Sequence, residues 1–261
     1  MLALLLVLLP ASAAPVDVTA DGSVGASSTF PGYSAGDSVD GSDQTSWFSD
    51  GITGGPDEQF TWTANHTEWI TRVQVFNNAN NGDGFTGFGF GSVDLIVRDR
   101  SGVITFSQPI SLPGATDPNI DVNIGAFGET VELHYHNHDD PACGGFSELN
   151  VHAERDALLL TPLSPGITGT VNDALVLNGT PGETVFVGFG FAPGNTAVPG
   201  CPGLSVPIFA PTIVSTPTAG PDGVALAAGF VPQTASGATV RVAAVDLSTC
   251  RASNVVVHNF P

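Results

Sequence analysis

Lysine is absent from this 261-residue sequence, whose basic side chains other than histidine are six arginines, against 25 Asp and Glu residues. The formal net charge is −19. Proteins that bind nucleic acid or an anionic membrane surface do so through basic side chains that contact phosphates. The composition therefore argues against both kinds of partner and is typical of a soluble extracellular protein. The acidity has two open explanations, a saline or calcium-containing environment and solubility alone.

Several common catalytic motifs are also missing. The sequence has no H-E-x-x-H zinc motif, no Walker phosphate loop and no G-x-G-x-x-G segment that opens a helix. Carboxylates are plentiful, but no two of them stand out as the acid and base of a glycosidase. We therefore expect a protein that is not an enzyme.

No window of the sequence has the sustained period of an amphipathic helix with caps. Short runs instead alternate apolar and polar residues between turn residues, which is typical of half-buried β-strands. The strands predicted in the first part are residues 59–63, 68–77, 92–98, 103–107, 119–124 and 129–138. In the second of these, Trp69, Val73 and Val75 are predicted on one face, and Ile70, Arg72, Gln74 and Phe76 on the other. The pattern predicts an all-β protein.

The first residues, Met1–Ala14, combine an apolar run with a small-residue A-x-A cleavage site, Ala11-Ser12-Ala13. The apolar run is too short to span a bilayer. We expect residues 1–14 to be a signal peptide, with a start codon further upstream because the usual positive charge is missing. The sequence has no cysteine near the cleavage point, so we do not expect a lipid anchor. The mature protein is expected to be secreted or held at the cell surface, with no integral membrane segment.

The composition changes at residues 156–165. Beyond them His and Trp become scarce, while Gly, Pro, Ala, Val and Thr dominate. The strands predicted here are residues 158–160, 169–171, 174–178, 184–191, 211–216, 223–230 and 239–246. Turn signals every 8–12 residues are typical of a small β-sandwich. We therefore predict two domains, residues 16–155 and 158–261.

The three cysteines are unevenly distributed. Cys201 and Cys250 both lie in the second domain, and in an oxidising compartment we expect them to form a disulfide bond. Closing a loop of this length stabilises a fold by roughly 3–4 kcal/mol in the chain-entropy account. Cys143 is interpreted as a buried small apolar residue and not as a reactive thiol. The segments GCPGL, from Gly200, and CRASN, from Cys250, resemble a β-sandwich module of secreted bacterial proteins, a resemblance that implies no activity.

The most distinctive segment is a polar loop, Gly36–Thr45, directly before the aromatic pair Trp47–Phe48. Its oxygen-bearing acidic and hydroxyl side chains are Asp37, Ser38, Asp40, Ser42, Asp43 and Thr45. Ca²⁺ prefers such hard oxygen ligands. The EF-hand spacing is missing, so an ion here needs a ligand from a distant part of the chain. The alternative is that Asp40 only caps the turn through its own backbone.

Residues 36–47, GDSVDGSDQTSW, resemble the A-x-N-A-[VI]-D-G-D-x-x-T-x-W signature of F5/8 type C (discoidin) domains, whose fold is shared with family 32 carbohydrate-binding modules. The matching residues are Val39, Asp40, Gly41, Thr45 and Trp47, while Asp37 and Ser42 differ from the signature. A second family signature, G-G-[IF]-[AS]-E-[ILV], is matched by Gly144–Leu149. The resemblance implies a jelly-roll β-sandwich of the galactose-binding-domain-like kind over residues 16–155, followed by a second small β-sandwich.

The resemblance also implies a structural Ca²⁺ ion that links the early loop to the start of the last strand. Transferred to this sequence, its side-chain ligands are Asp40, Thr45 and Glu148. Backbone carbonyls near Asp37, Ser42 and Cys143 complete the shell. Such an ion stabilises only the folded state, because it couples two distant parts of the chain.

His134, His136 and His138 alternate along a predicted strand and share one of its faces. Imidazoles suit Zn²⁺ or Cu²⁺, but same-face neighbours lie about 6.5–7 Å apart, so a regular strand does not bring three of them to one ion. The alternatives are solvent-exposed histidines, or a ligand-binding rim that includes His136, His138 and the neighbouring Asp139.

The Gly- and Asn-rich loop between residues 77 and 91 carries Phe85, Phe88 and Phe90. Long polar loops with aromatic residues are suited to ligand binding, where a ring stacks on a sugar. We interpret Phe90 as a core residue that leads into the next strand. Phe85 remains a candidate ligand-binding residue.

The resemblance implies that the first domain binds glycans, or less often a phospholipid head group or a protein, and the acidity and the absence of lysine disfavour the lipid. We therefore predict a secreted, non-catalytic glycan-binding protein with a structural calcium site. Its expected partner is an extracellular glycan or polysaccharide. The alternative is a structural component of the cell surface or extracellular matrix, with a calcium-braced domain and no small-molecule ligand.

Overall fold

The computed structural model describes residues 14–50, 57–78, 87–112, 119–138 and 143–261, and of His138 the backbone alone. The chain divides into two compact units, Pro15–Glu154 and Arg155–Pro261. Both units are built from antiparallel sheets, which confirms the predicted all-β fold class. Of the predicted signal peptide, only Ala14 lies within the described residues. None of the helices in those ranges has the length and apolar character needed to cross a membrane.

The first unit contains short and long strands joined by loops and two 3-10 turns, Thr19–Asp21 and Ala35–Ser38. Its strands are β1 (Val16–Asp17), β2 (Gly22–Ala26), β3 (Trp47–Phe48), β4 (Glu58–Phe76), β5 (Phe90–Arg98), β6 (Ile104–Ser111), β7 (Ile120–His138), β8 (Gly145–Phe146) and β9 (Glu148–Glu154). Seven of them form a sheet in the order β1-β9-β4-β7-β5-β6, with β2 beside β4, and β3 pairs with β8.

Strands β4 and β7 are each 19 residues long and organise this unit. Their mutual register shifts between Thr63 and Glu68, a β-bulge that bends a strand pair. The first half of β4 pairs with β2, and the second half pairs with β9. One core contains residues from both halves, among them Phe60 and Val73. The bent sheet therefore wraps around a single core as a β-sandwich, as predicted.

The strand prediction for this unit did not include β2, β3, β8 and β9, and two further details of it were wrong. Residues 59–63 and 68–77 form one strand, as do 119–124 and 129–138, because the backbone stays extended through the bulge. Ile70 is buried with Val73 and Val75, whereas Trp69 is only half-buried, so the predicted faces of these two neighbours are exchanged. A further register shift between Ile70 and Arg72 moves the alternation by one residue.

The two sequence signatures meet in the core of the first unit. Trp47 on β3 pairs with Phe146 on β8, and both rings are fully buried with centroids 5.5 Å apart. The Trp47 indole N–H donates to the carbonyl of Ser28 at 3.0 Å, so its polar atom is satisfied. A Cβ on Gly145 would lie 1.9 Å from the Trp47 carbonyl oxygen, so this approach requires glycine. Removing so large a buried ring typically costs about 3–5 kcal/mol.

The second unit is a smaller sandwich. Its strands are β10 (Leu159–Leu160), β11 (Thr170–Leu177), β12 (Val185–Gly190), β13 (Pro193–Ala197), β14 (Ser205–Ile208), β15 (Thr212–Ser215), β16 (Ala225–Val231), β17 (Thr239–Asp246), β18 (Arg251–Ala252) and β19 (Val256–Asn259). One sheet has the order β10-β11-β16, another has the order β15-β12-β17-β18 with β19 beside β17, and β13 pairs with β14. Side chains from the first two sheets share one core. Strands β13, β14, β18 and β19 were not predicted from the sequence, and the predicted strands 169–171 and 174–178 form the single strand β11.

The predicted disulfide bond joins Cys201 and Cys250, which are 49 residues apart in sequence with Cα atoms 5.4 Å apart. Cys143 is buried and takes no part in it, in agreement with its interpretation as a core residue.

We expect a Cys201→Ser/Cys250→Ser variant to lower the free energy of unfolding of the second unit by about 3–4 kcal/mol, because the unfolded chain gains the freedom of an open loop. All three tryptophans lie in the first unit, so their fluorescence reports that unit, whereas far-UV circular dichroism reports both. The dichroism melting curve should gain an early transition while the fluorescence curve stays unchanged. Superimposable dichroism curves for variant and wild type would contradict this expectation.

Candidate functional site

The polar loop of the first unit is closed around Asp40. Oδ1 of Asp40 accepts the N–H of Ser42 at 2.9 Å, and the Thr45 hydroxyl donates to the same carboxylate at 3.0 Å. Gly41 has a φ of +80°, in the left-handed region that glycine adopts without strain. The Asp40–Ser42 contact is the backbone cap that the sequence offered as an alternative role for Asp40. The carboxylate is therefore held in place by its own loop.

Glu148, the first residue of β9, meets this loop from a distant part of the chain. Its Oε1 accepts the N–H of Gly41 at 3.3 Å. The side chain is only 6% exposed, and its Oε2 is buried with no hydrogen-bond partner within the described part of the chain. Burial raises the pKa of Glu148 to about 7; the Gly41 N–H opposes this shift, and the nearby charge of Asp40 adds to it. A buried carboxylate oxygen without a donor is costly unless a cation or a proton compensates it.

The remaining predicted calcium ligands are divided between two places. The carbonyl of Ser42 accepts the Thr45 hydroxyl at 3.2 Å, so Ser42 lies with Asp40 and Thr45 in the closed loop. The carboxylate of Asp37 instead accepts the N–H of Ser34 at 2.7 Å, at the start of the neighbouring 3-10 turn.

The described residues contain no group of three or more His, Cys, Asp and Glu side chains that could hold a metal. A cation beside Glu148 would therefore depend on two carboxylates, one hydroxyl and backbone carbonyls. This is an all-oxygen donor set of the kind that suits Ca²⁺.

A second polar cluster lies on the outer face of the sheet, where β4, β7 and β5 are adjacent. His136 on β7 has Nδ1 at 2.7 Å from Asp57 Oδ2 and Nε2 at 3.2 Å from Asp94 Oδ2. A neutral imidazole carries one N–H, so only the imidazolium donates to both carboxylates. The hydrogen bond with Asp57, followed by that with Asp94, raises the pKa of His136 despite partial desolvation. We name these three side chains the His136 cluster.

Next to it, Glu132 accepts from Arg98 Nε at 2.9 Å and lies 2.9 Å from His134 Nε2. The imidazoles of His134 and His136 thus turn towards different carboxylates and not towards one common point. The side chain of His138 lies outside the described residues, so the three-histidine arrangement stays a prediction.

The His136 cluster lies at one end of the internal strands of the sheet. Glu58 at the start of β4 pairs with Tyr135, and Phe90 at the start of β5 pairs with His138 at the end of β7. Ser111 at the end of β6 pairs with Ser92. Four strand termini therefore meet where the cluster lies.

Most of the predicted ligand-binding set lies outside the described residues. Phe85 and Asp139 belong to segments 79–86 and 139–142, and of the remaining two the structure describes His136 with its side chain. Phe88 and Phe90 are buried, and Phe90 stacks on Tyr135 with centroids 4.6 Å apart. The interpretation of Phe90 as a core residue is thus confirmed.

Asp57, Asp94, Arg98 and Glu132 were not predicted as site residues. Asp94 and Arg98 lie on β5, Glu132 lies on β7, and Asp57 lies directly before β4, so only the register of these three strands brings them together. The available signal was weak. Asp94 lies between Val93 and Leu95, so alternation alone placed it on the polar face of β5.

The sequence also contains one enzyme-like pattern. Residues 32–36, GYSAG, fit the G-x-S-x-G pattern of a nucleophile elbow, with Ser34 at its centre. In the structure the pattern follows a loop and precedes a single 3-10 turn. A nucleophile elbow requires a strand before the serine and a helix after it. Ser34 therefore lacks the setting that would activate it.

No protein-family model matches the sequence, and no curated protein matches it. Solved structures are similar over about half of the chain. One is the family 32 carbohydrate-binding module of NanJ from C. perfringens in complex with galactose, with 13% identity and a TM-score of 0.44 over 53% of this chain and 99% of that one.

Two further similar structures are also binding modules. A chitosan-binding module from a chitosanase/glucanase of Paenibacillus sp. IK-5 has 18% identity and a TM-score of 0.42, over 52% of this chain and 98% of that one. A fucose-binding module of Streptococcus pneumoniae has 14% identity and a TM-score of 0.43, over 52% and 96%. These are similarities of fold alone.

In metal-free protein, Glu148 should make the first unit less stable as pH rises. Its pKa is raised from 4.5 to about 7 on folding, so the folded state binds the proton more tightly. The contribution of Glu148 to the free energy of unfolding should be greatest below about pH 4.5 and should fall by about 2–3 kcal/mol as pH rises to 7. Urea unfolding followed by tryptophan fluorescence in EDTA measures this fall.

A Glu148→Gln variant should lose this pH dependence, whereas a Glu154→Gln control, at the other end of β9, should keep it. The same fall in wild type and in Glu148→Gln would show that Glu148 is not its source.

Proposed function

We propose that this protein is a secreted or cell-surface, non-catalytic glycan-binding protein whose first unit is braced by a structural Ca²⁺ ion. The observation that supports glycan binding is the His136 cluster at the ends of strands β4, β7 and β5. Sugar hydroxyls both donate and accept hydrogen bonds, and bonds with charged partners are the stronger ones. Asp57 and Asp94 offer charged acceptors, and the two N–H groups of His136 hold these carboxylates in place.

The cluster is accessible and partly ordered before any ligand binds. The side chains of Asp57 and Asp94 are 62% and 42% exposed, so a hydroxyl can reach them. Their contacts with His136 already restrict their rotamers, which reduces the entropy lost on binding. The excess of carboxylates in this cluster and in the chain as a whole disfavours sulfated or uronic-acid polysaccharides. Neutral and amino sugars are therefore the expected ligands.

The calcium part of the proposal rests on Oε2 of Glu148. A cation beside it would compensate both this buried oxygen and the charge of Asp40. Asp40, Thr45 and Glu148 would hold the ion through their side chains, and Ser42 through its carbonyl. A bound Ca²⁺ supplies positive charge and joins the loop to β9; it has no chemical step to perform.

Binding of Ca²⁺ should stabilise the first unit. Ca²⁺ should raise the melting temperature of the first unit by several degrees, because an ion at 100 times its Kd adds about 2.7 kcal/mol to the folded state. Asp40→Asn and Glu148→Gln should each abolish the shift. Asp43→Asn is the matched control, since the exposed Asp43 contacts the Gln44 side chain at 2.7 Å, within the same loop. Full shifts in both ligand variants would refute the site.

The second prediction concerns glycans. Among galactose, fucose and chitosan oligosaccharides, at least one should bind measurably by calorimetry, and His136→Ala or Asp94→Asn should weaken that binding at least about tenfold, the loss of one charged hydrogen bond. His152→Ala is the control, because His152 is a half-buried histidine of another strand, 3.0 Å from Gln74. Tryptophan fluorescence melts confirm that the variants are folded.

Absence of binding across a broad glycan array, with the calcium shift intact, would reject glycan binding. That result would favour a structural component of the cell surface or matrix. Cleavage of any glycan during the incubation would reject the non-catalytic assignment.

A further inference from the structure

The second unit contains a cavity of about 250 Å³ between its two larger sheets. Strands β11 and β16 form one wall, and β12, β15 and β17 form the other. Its walls are largely apolar and include Val187, Phe189, Val240, Val242 and Phe260. The proposed calcium and glycan sites use none of these residues. The cavity is therefore a separate feature of the molecule.

The cavity exists because the inward-facing residues of one sheet are small. Ala174 on β11 is opposite Ala227 on β16, and Gly229 follows on the same inward face. A Cβ built on Gly229 would meet no atom within 4 Å. Protein interiors are normally close-packed, with few voids larger than a water molecule. Ala174 and Ala227 are buried and Gly229 is exposed, so three small residues at neighbouring positions leave this space and open it towards solvent at Gly229.

The polar groups around the cavity select against charged ligands. No Lys or Arg lines it, and its one titratable lining residue, Asp173, lies between the buried Asn172 and Ala174 on β11, so the Asp173 carboxylate is on the opposite face of the strand and offers no partner to a cation in the cavity. Asn172 is engaged elsewhere: its Oδ1 accepts the N–H groups of Gly166 and Ile167 at 2.7 and 3.0 Å, and its Nδ2 donates to the carbonyl of Ile167. A carboxylate or sulfonate in the cavity would lose its hydration without gaining a cation.

One phenylalanine of the cavity lining is open to solvent. Phe191 is 67% exposed and packs edge-to-face against Phe189, with ring centroids 5.4 Å apart. Exposed aromatic rings beside an apolar cavity are typical of a binding site and not of a sealed core void.

We propose that the second unit binds one neutral, apolar small molecule in this cavity, of about ten carbon atoms. The size follows from comparison, since an apolar cavity of about 150 Å³ lined by Leu, Ile and Phe binds benzene. The neutral charge follows from the lining. This binding is independent of the proposed glycan function.

The test uses the full chain and two fluorescent probes of similar size. Neutral naphthalene, which has ten carbons, should bind saturably with one molecule per chain, and anionic naphthalene-1-sulfonate, with the same ring system, should bind at least tenfold more weakly. No saturable binding of the neutral probe, or equal binding of both probes, would overturn the proposal.

Variants locate the binding. Gly229→Leu places a side chain in the empty space and should weaken neutral-probe binding at least tenfold, while the melting temperature stays the same or rises. Gly229→Val provides a smaller filling residue if the leucine variant does not fold. Ala197→Leu, on an exposed position of β13 outside the lining, adds a similar apolar side chain and should leave binding unchanged.

Unchanged binding in both filling variants would place the probe elsewhere and overturn the proposal. Self-association that Gly229→Leu abolishes, without neutral-probe binding by the wild type, would assign the cavity to a second copy of the chain and also overturn it.

Discussion

The contact of Glu148 with the loop around Asp40 is the constraint on which the first unit depends. It joins the start of β9 to a loop that lies 107 residues earlier, and it does so with a carboxylate whose Oε2 is buried without a donor. Immediately beside it, Trp47 and Phe146 join the same two parts of the chain through an apolar contact. The apolar contact stabilises this closure. The carboxylate contact destabilises it near neutral pH unless positive charge is supplied, and this imbalance is the physical reason to propose Ca²⁺.

The second half of the proposal depends on a different kind of order. The His136 cluster is assembled by the register of three strands and is held by ion pairs on a partly exposed face, where each pair alone contributes little to stability. In the proposed function, the cluster matters because its carboxylate acceptors point in fixed directions. In the proposed function, the loop braced by Ca²⁺ would hold the sandwich together, and the His136 cluster at the strand ends would contact the glycan.

The sequence predicted what local motifs specify. Gly145 and Trp47 both belong to motifs that could be recognised in the sequence. The structure explains the glycine, because the chain approaches itself too closely there for any other residue at position 145. The contact between Glu148 and the Asp40 loop was available only through the family resemblance. The exchanged faces of Trp69 and Ile70 could not be predicted from the sequence, since they depend on a register shift. Asp57 and Asp94 were missed because only the pairing of distant strands brings them to His136. The cavity was not predicted because it arises partly from the missing side chain of Gly229. The alternation of apolar and polar residues gives no information about how completely a core is packed.

Calcium titration of the purified full chain by calorimetry at pH 7.5 tests the central claim most directly. The account predicts saturable binding of one Ca²⁺ per chain in the wild type and its loss in Glu148→Gln. A wild-type protein that binds no Ca²⁺, or a Glu148→Gln variant that binds it with unchanged affinity, would contradict the account.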